Sequence, residues 1–200
     1  MEQVIEILKR NLVESIEAKQ ELLLQEERLS IFGSAISEVI KCYQQGGRIY
    51  IAGNGGSAAD AQHLAAEFVS KFARDRSPLP AEALTVDSSV LTAIANDYGY
   101  EEVFSRQIYG KLKTGDMFLA ITSSGNSLNI LKALDACREM GITTVLFSGA
   151  DGGLAKKNAD YCIVATGKKT STIQEVHLVL LHTLCECVEQ AMFFNKEINV

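Results

Sequence analysis

The chain has 200 residues, of which 47% are hydrophobic and 22% are charged, a composition typical of one globular domain. Its formal net charge of -6 speaks against a broad nucleic-acid surface, because such a surface needs a basic patch. A phosphate ligand stays possible, since backbone amides bind anions locally whatever the overall charge. We therefore expect no nucleic-acid partner.

The N-terminal segment and the cysteines indicate in which compartment of the cell the protein is found. The segment from Met1 to Glu26 is charged throughout and lacks the continuous apolar core of a signal peptide. No stretch approaches the roughly 18–20 apolar residues of a membrane span. The cysteines are odd in number and match no common zinc or redox spacing, so we expect buried or incidental thiols. We expect a cytoplasmic protein with no membrane partner. The cysteines are Cys42, Cys137, Cys162, Cys185 and Cys187.

The first 45 residues predict two helices. Val4, Ile5, Leu8 and Leu12 recur at near-helical spacing, and a second apolar stripe ends at Tyr43 before two glycines. Both helices have apolar faces to bury, which indicates packing against a partner subunit or over the rest of the domain.

From residue 48 onward, short apolar runs alternate with helical segments. This alternation predicts an α/β fold with a five-stranded parallel sheet flanked by helices. We expect a single domain over residues 1–200, with an N-terminal helical pair at 1–46 and a doubly wound core at 47–200. The predicted strands are 48–52, 83–86, 117–122, 143–147 and 161–164, and the predicted core helices are 57–72, 88–96, 100–112, 127–140, 153–158 and 172–193.

Two glycine- and serine-rich loops, 53–57 and 122–127, follow the first and third predicted strands. Open parallel sheets bind ligands at the carboxyl ends of their strands. Glycines let the backbone approach a ligand closely, and helix N-termini offer free amides to an anion. The loops therefore predict a phosphate site. The hydroxyl donors of the second loop are Thr122, Ser123, Ser124 and Ser127.

The glycine spacing matches neither the P-loop nor the dinucleotide pattern G-x-G-x-x-G, so a nucleotide cofactor is not indicated. An alternative is ordinary turn chemistry after strands, with Ser57 and Ser127 serving only as N-caps.

Two predicted helices carry a second group of functional residue types. His63 and Glu67 are four apart on one helix, and Gln174 and His182 are eight apart on another, so each pair shares a helix face. Imidazole and carboxylate suit zinc, although glutamine is an unusual ligand. The same groups suit proton transfer next to a carbonyl. They could also be satisfied core or interface residues, as we expect for His177.

Taken in order, these motifs resemble the sedoheptulose 7-phosphate isomerases, which belong to the sugar-isomerase (SIS) domain proteins. The resemblance runs nearly end to end and includes the two leading helices. The motifs that carry it are Ala52-Gly-Asn-Gly-Gly-Ser57, His63-x-x-x-Glu67, Ala95-Asn-Asp97, Thr122-Ser-Ser-Gly-Asn-Ser127, Gly149-x-Asp-Gly-Gly153 and Ile173-Gln-Glu-x-His177-x-x-x-x-His182.

The resemblance implies an aldose–ketose isomerisation. Sedoheptulose 7-phosphate would become D-glycero-D-manno-heptose 7-phosphate through an enediol, toward ADP-heptose or GDP-heptose for lipopolysaccharide and other surface glycans. It also implies a homotetramer with sites between subunits, in which the leading helices form the inter-subunit core.

The resemblance assigns roles residue by residue. Glu67 would be the base at C1 of the ketose, and His182 would be the acid/base partner near O1 and O2. One zinc ion per subunit would be held by His63, Glu67, Gln174 and His182. Substrate contacts would come from Asn54, Gly55, Gly56, Glu67, Asn96, Asp97, Gln174 and the phosphate loop with Thr122, Ser123, Ser124 and Ser127.

Two rival functions use the same scaffold. One is a non-catalytic SIS protein that binds a partner such as the bacterial replication initiator, and its mark would be the absence of Glu67 or His182. Both residues are present, which favours the enzyme. The other rival is an SIS isomerase for a pentose or amino-sugar phosphate.

Overall fold

The computed structural model describes residues 1–194 and has an α/β architecture, as the alternation of apolar runs predicted. Five parallel strands form one sheet in the order β2-β1-β3-β4-β5. Every residue of β1 and β3 is buried, which is typical of parallel strands covered on both faces. The strands are β1 (Ile49–Gly53), β2 (Ala81–Ala83), β3 (Met117–Thr122), β4 (Thr143–Ser148) and β5 (Tyr161–Val164).

Seven α-helices in the described part cover the sheet. The predicted leading pair is confirmed as two long helices. Short 3-10 turns lie at Tyr100–Glu102 and Leu154–Lys157, and a π-helical segment, Gln190–Phe194, continues the last helix. The helices are α1 (Glu2–Leu23), α2 (Glu26–Gln44), α3 (Gly56–Val69), α4 (Ser88–Tyr98), α5 (Ser105–Lys111), α6 (Leu128–Met140) and α7 (Thr170–Glu189).

Several predicted elements differ from the structure, among them the helix predicted for 153–158, which is only a 3-10 turn. The helix predicted for 57–72 ends at Val69, because the following turn donates its backbone amides to a side chain of α7. The strand predicted for 83–86 lies at Ala81–Ala83, where it pairs in register with β1. The helix predicted for 100–112 is divided, and the Ser105 hydroxyl bonds the Glu102 carbonyl at the division, a local competition with helical bonding.

The two faces of the sheet bury different helices. Side chains alternate along each strand, so Ile51 and Leu119 point to the face covered by α1, α2, α3 and α7. Ala52 and Ala120 point to the other face, which is covered by α5, α6 and part of α4. The helices that follow β1 and β3 therefore lie on opposite faces.

Helix α1 packs only through its C-terminal part. Its buried residues are Ser15, Ala18 and Leu22, and it contacts α2 and α7. Apolar side chains nearer its start are 44% to 66% exposed, which leaves an apolar stripe on the surface of the single chain. The stripe consists of Val4, Ile5, Ile7, Leu8, Leu12, Val13 and Ile16.

The expectation that no segment has the length and composition of a membrane span was wrong. The helical stretch Thr170–Phe194 is long and apolar enough by those criteria. Its apolar residues, including Val176, Leu180 and Leu184, belong to the core beneath the sheet. A core helix of this kind meets the same criteria as a spanning one.

All five cysteines are free thiols, and Cys42, Cys137 and Cys185 are buried. Burial raises the pKa of Cys42 to about 11, with Asp116 adding to the effect. Burial likewise raises the pKa of Cys137 to about 12, together with Asp160. Since the thiolate is the reactive form, these cysteines are poor nucleophiles at neutral pH.

Thiol labelling at pH 7.5 tests this. We expect a small aromatic disulfide to react with Cys42 and Cys137 at least about 100-fold more slowly in the folded protein than in denaturant, because folding removes the thiolate. Peptide mapping identifies the labelled sites. Labelling of Cys137 at the same rate in both states would contradict the assignment.

Candidate active site

The two polar loops meet at one edge of the sheet because β1 and β3 are parallel neighbours, with Gly53 paired to Ile121. Together with the start of α7 they enclose a cavity of about 310 Å³. Eight of the predicted substrate residues line it. The full lining is Asn54, Gly55, Gly56, Ser57, Ile121, Thr122, Ser123, Ser124, Ser127, Thr170 and Gln174.

Three helices begin at this cavity without a side-chain cap. The N-cap positions of α3, α6 and α7 are Gly55, Ser127 and Lys169, and within the described residues none makes a side-chain capping bond. Of the two serines that the alternative assigns as N-caps, Ser127 takes that position without a side-chain capping bond, and Ser57 does not take it. Ser57 lies inside α3, and the Ser127 hydroxyl pairs with Thr122 Oγ1 at 3.4 Å. Helix N-termini without a side-chain cap, with the positive ends of their dipoles, suit an anion.

Close backbone packing shapes the phosphate loop. Gly125 has a φ of +66°, and a Cβ there would lie 2.0 Å from the carbonyl oxygen of Gly152. The Gly125 carbonyl accepts a hydrogen bond from Ala155 N at 2.9 Å, and Asn126 Oδ1 accepts one from Leu154 N at 3.0 Å. The chain from Gly152 to Ala155 thus packs directly against the loop.

Asn54 is held by a network that sequence reasoning missed. Asn54 and Asn129 exchange two hydrogen bonds of 2.9 Å through their side-chain amides. The Tyr100 hydroxyl donates to Asn54 Oδ1 at 3.2 Å. Asn129 is only 3% exposed, so it fixes the first loop against the start of α6. A polar residue in the first turn after the serine loop was the available signal.

The second group of predicted residues meets between α3 and α7. His63 Nε2 lies 3.0 Å from Glu67 Oε1. The ring of His63 packs edge-on against the ring of His182, with centroids 5.1 Å apart, and the Phe72 ring packs on His182 at 5.7 Å. Two imidazoles and one carboxylate therefore share one cluster, as the helix spacing predicted.

Gln174 lies toward the cavity and not in this cluster. Eight residues separate it from His182, about 12 Å along a helix, and its amide lies against Gly56. Asn96 and Asp97 are exposed on α4, where the Asn96 amide donates to Asp97 Oδ1 at 2.8 Å. Neither lines the cavity of its own chain.

The donor atoms suit zinc in kind but are not arranged around one point. Two imidazoles and a carboxylate are common zinc ligands, and His63, Glu67 and His182 supply them. The atoms of His63 and Glu67 that would bind a metal are bonded to each other. In residues 1–194 no three His, Cys, Asp or Glu side chains converge as a metal site.

Asp60 is a further residue that sequence reasoning missed. It precedes His63 by one helical turn, and its buried Oδ2 has no hydrogen-bond partner among the described residues. Burial raises the pKa of Asp60, while the neighbouring His63 lowers it.

Comparison with known proteins identifies the class of this fold and cavity. Residues 7–149 match the family model of the SIS domain. The cavity at the carboxyl ends of β1 and β3, with its uncapped helix N-termini, is therefore that of an SIS domain protein.

The relatives are more specific. The chain is 50% identical over 193 residues to a phosphoheptose isomerase of Aneurinibacillus thermoaerophilus, covering 96% of this chain and 98% of the relative. It is 46% identical to phosphoheptose isomerase 2 of Campylobacter jejuni, covering 96% of each. The structure of phosphoheptose isomerase GmhA from Neisseria gonorrhoeae superposes with a TM-score of 0.87 at 37% identity, covering 94% of this chain and 99% of the other. The chain belongs to the phosphoheptose isomerase family of SIS domain proteins, which confirms the resemblance seen in its motifs.

A pair of glycine variants tests the cavity. A Cβ at Gly56 would lie 2.4 Å from Gln174 Nε2, the mobile end of a side chain. We expect Gly56→Ala to displace this amide, weaken binding of a sugar phosphate about 10-fold through one lost polar contact, and leave the melting temperature nearly unchanged. Calorimetric titration and thermal unfolding measure the two effects.

The matched variant is Gly125→Ala, whose Cβ meets backbone at a positive φ. We expect it to lower the melting temperature, since backbone cannot yield as a side-chain end does. Equal melting temperatures for the two variants would contradict this description of the loops.

Proposed function

We propose that the protein is an aldose–ketose isomerase that converts sedoheptulose 7-phosphate to D-glycero-D-manno-heptose 7-phosphate through an enediol. The product would feed ADP-heptose or GDP-heptose synthesis for lipopolysaccharide and other surface glycans. The proposal rests on the meeting of His63 and Glu67 on α3 with His182 on α7, beside a cavity built for an anion. The chain's membership of the phosphoheptose isomerase family supports the same reaction.

The phosphate would bind at the uncapped N-termini of α3, α6 and α7. Serine and threonine hydroxyls and backbone amides line the cavity, and no charged side chain of the described residues does so. His63 lies seven residues beyond Gly56, about 10 Å along α3. A seven-carbon sugar with its phosphate on C7 has its reacting carbons at the far end, so the two parts of the site suit its two ends.

The isomerisation moves one proton between carbons and one between oxygens. Glu67 takes the proton from C1 of the ketose while O2 gains a proton, which gives the enediol. The proton then returns to C2 as O1 loses its proton, and the aldose results. His182 carries the proton between O1 and O2, for which an imidazole is suited near neutral pH.

A zinc ion, one per subunit, would be held by His63, Glu67, Gln174 and His182. When bound it would act as a Lewis acid that polarises the substrate oxygens. The kinds of donor support this set, and Gln174 would have to reach from the cavity toward the cluster. Asp60 would orient His63 as a partner of a metal ligand.

We also propose a cytoplasmic homotetramer with sites between subunits. The exposed apolar stripe of α1 supports an assembly, because monomers rarely expose large contiguous apolar patches. In that assembly Asn96 and Asp97 would contact substrate. The five free thiols suit a reducing compartment. No observation favours the alternative of a non-catalytic scaffold that binds the replication initiator.

Turnover tests the reaction and both roles. Purified protein supplied with zinc would be incubated with sedoheptulose 7-phosphate, and aldoheptose 7-phosphate would be followed by NMR. We expect Glu67→Gln and His182→Ala each to lower kcat about 10²- to 10⁴-fold, the usual contribution of a general acid or base. Activity retained by either variant would refute that residue's role, and an inactive folded wild type would refute the reaction.

Metal content tests the ligand set separately. We expect His63→Ala to weaken zinc affinity by more than the roughly 10- to 100-fold cost of losing a partner of a ligand, because a ligand itself is lost. Dialysis against a zinc buffer followed by elemental analysis measures it. The control is Glu186→Gln, an exposed carboxylate of α7 outside the cluster. Equal zinc content in both variants would remove His63 from the set.

A further inference from the structure

The C-terminal end of α3 is capped by a side chain from the loop that follows it. The last carbonyls of a helix have no intrahelical partner. Arg76 supplies donors to them: Nη2 donates to the Glu67 carbonyl at 2.8 Å, and Nη1 donates to the Phe68 carbonyl at 2.7 Å. The planar fork of arginine lets one side chain hold both. Arg76 thereby fixes the helix turn that carries Glu67 from its C-terminal side.

Glu189 of α7 binds the turn that connects α3 to Arg76. Its carboxylate accepts hydrogen bonds from three successive backbone amides, those of Phe72 at 2.9 Å and of Ala73 and Arg74 at 3.0 Å. It also accepts one from Arg76 Nε at 3.1 Å. Burial alone raises the pKa of Glu189, but these four donors outweigh it and the net pKa is lowered. The carboxylate is charged when the protein is folded.

The pair is almost fully buried, with side chains 2% exposed for Arg76 and 3% exposed for Glu189. Taking both charges out of water costs several kcal/mol per ion, and well-packed apolar residues are often equally stable. Stability alone therefore gives no reason for an ion pair at this place, whereas a directional network fixes geometry.

The geometry that it fixes is that of the proposed acid and base. Glu189 follows His182 by seven residues, two turns along the same helix. Arg76 holds the carbonyl of Glu67 itself. Phe72, whose amide binds Glu189, places its ring on His182. One ion pair thus joins the two helices on the C-terminal side of both reacting groups.

We propose that Arg76 and Glu189 are positioning residues, which hold the Glu67 carboxylate and the His182 imidazole in their working orientation. This inference rests on the proposed function. The pair lies at the C-terminal ends of α3 and α7, whereas the phosphate cavity lies at their N-terminal ends. Loosening the pair disturbs the proton-transfer groups and leaves the phosphate grip in place.

The test compares two variants of the pair with a matched control. Arg76→Lys keeps the charge next to Glu189 but loses the fork to the carbonyls, and Glu189→Gln keeps the shape but loses the charge. The control is Asp116→Asn, a carboxylate 5% exposed. Asp116 likewise accepts backbone amide bonds, from Arg48 at 2.9 Å and Lys113 at 3.0 Å, and it lies directly before β3 and outside the α3–α7 contact.

Thermal unfolding, kcat and KM would be measured for each zinc-supplied protein. We expect the two pair variants to lower kcat about 10- to 100-fold, the usual effect of a misplacement near 1 Å, with KM within about twofold of the wild type. Asp116→Asn should lower the melting temperature by a comparable amount and leave kcat unchanged. Rates that fall only in proportion to lost stability, or a change confined to KM, would overturn the inference.

A second readout does not depend on turnover. The protein has three histidines, so selective labelling gives three imidazole spectra. We expect the His182 signal to shift in Arg76→Lys. The signal of His177, which lies on the same helix as His182 and bonds the Ser148 carbonyl of β4, should keep its position. An unchanged His182 signal would overturn the inference. An inactive wild type would refute the proposed function, and the His182 signal would still decide the positioning role.

Discussion

The parallel pairing of β1 with β3 is the constraint on which the site depends. Its register, with Gly53 beside Ile121, brings the ends of the two strands to the same edge of the sheet. The sheet order runs from β1 to β2 on one side and from β3 to β4 on the other. The helices after β1 and β3 therefore cover opposite faces, and a crevice opens between their starts.

The two parts of the site lie at different positions along α3, with the crevice at its start and the histidine cluster nearer its end. At its first turn the helix has glycines and no side-chain cap, which supports the proposed anion site without a positive side chain. One to three turns later the same helix presents Asp60, His63 and Glu67. This arrangement supports the proposed placement of the substrate, with its phosphate at the first turn of α3 and its reacting carbons near Glu67.

The contribution of an ion pair to the stability of this protein depends on how deeply the pair is buried. The exposed pairs, such as Lys9 with Glu6, are screened by solvent and contribute little to stability. The buried pair of Arg76 and Glu189 has to be satisfied completely, because a lone buried charge is strongly destabilising. Its backbone partners belong to the last turn of α3 and to the turn that follows it, so the pair specifies one conformation of that turn.

The sequence by itself determined the α/β class, the leading helices, the two loops and the functional residue types. The spacing of apolar residues and the positions of glycines and prolines are local properties of the sequence. They locate the strand Met117–Thr122, or the pair of His63 and Glu67, without knowledge of the fold. Asn129, Tyr100, Asp60 and the pair of Arg76 with Glu189 became visible only in the tertiary structure. Their roles arise from contacts between residues up to 117 positions apart, which no local pattern encodes. The same holds for the end of α3 at Val69, since the amides that would have continued the helix are bound by a carboxylate of α7.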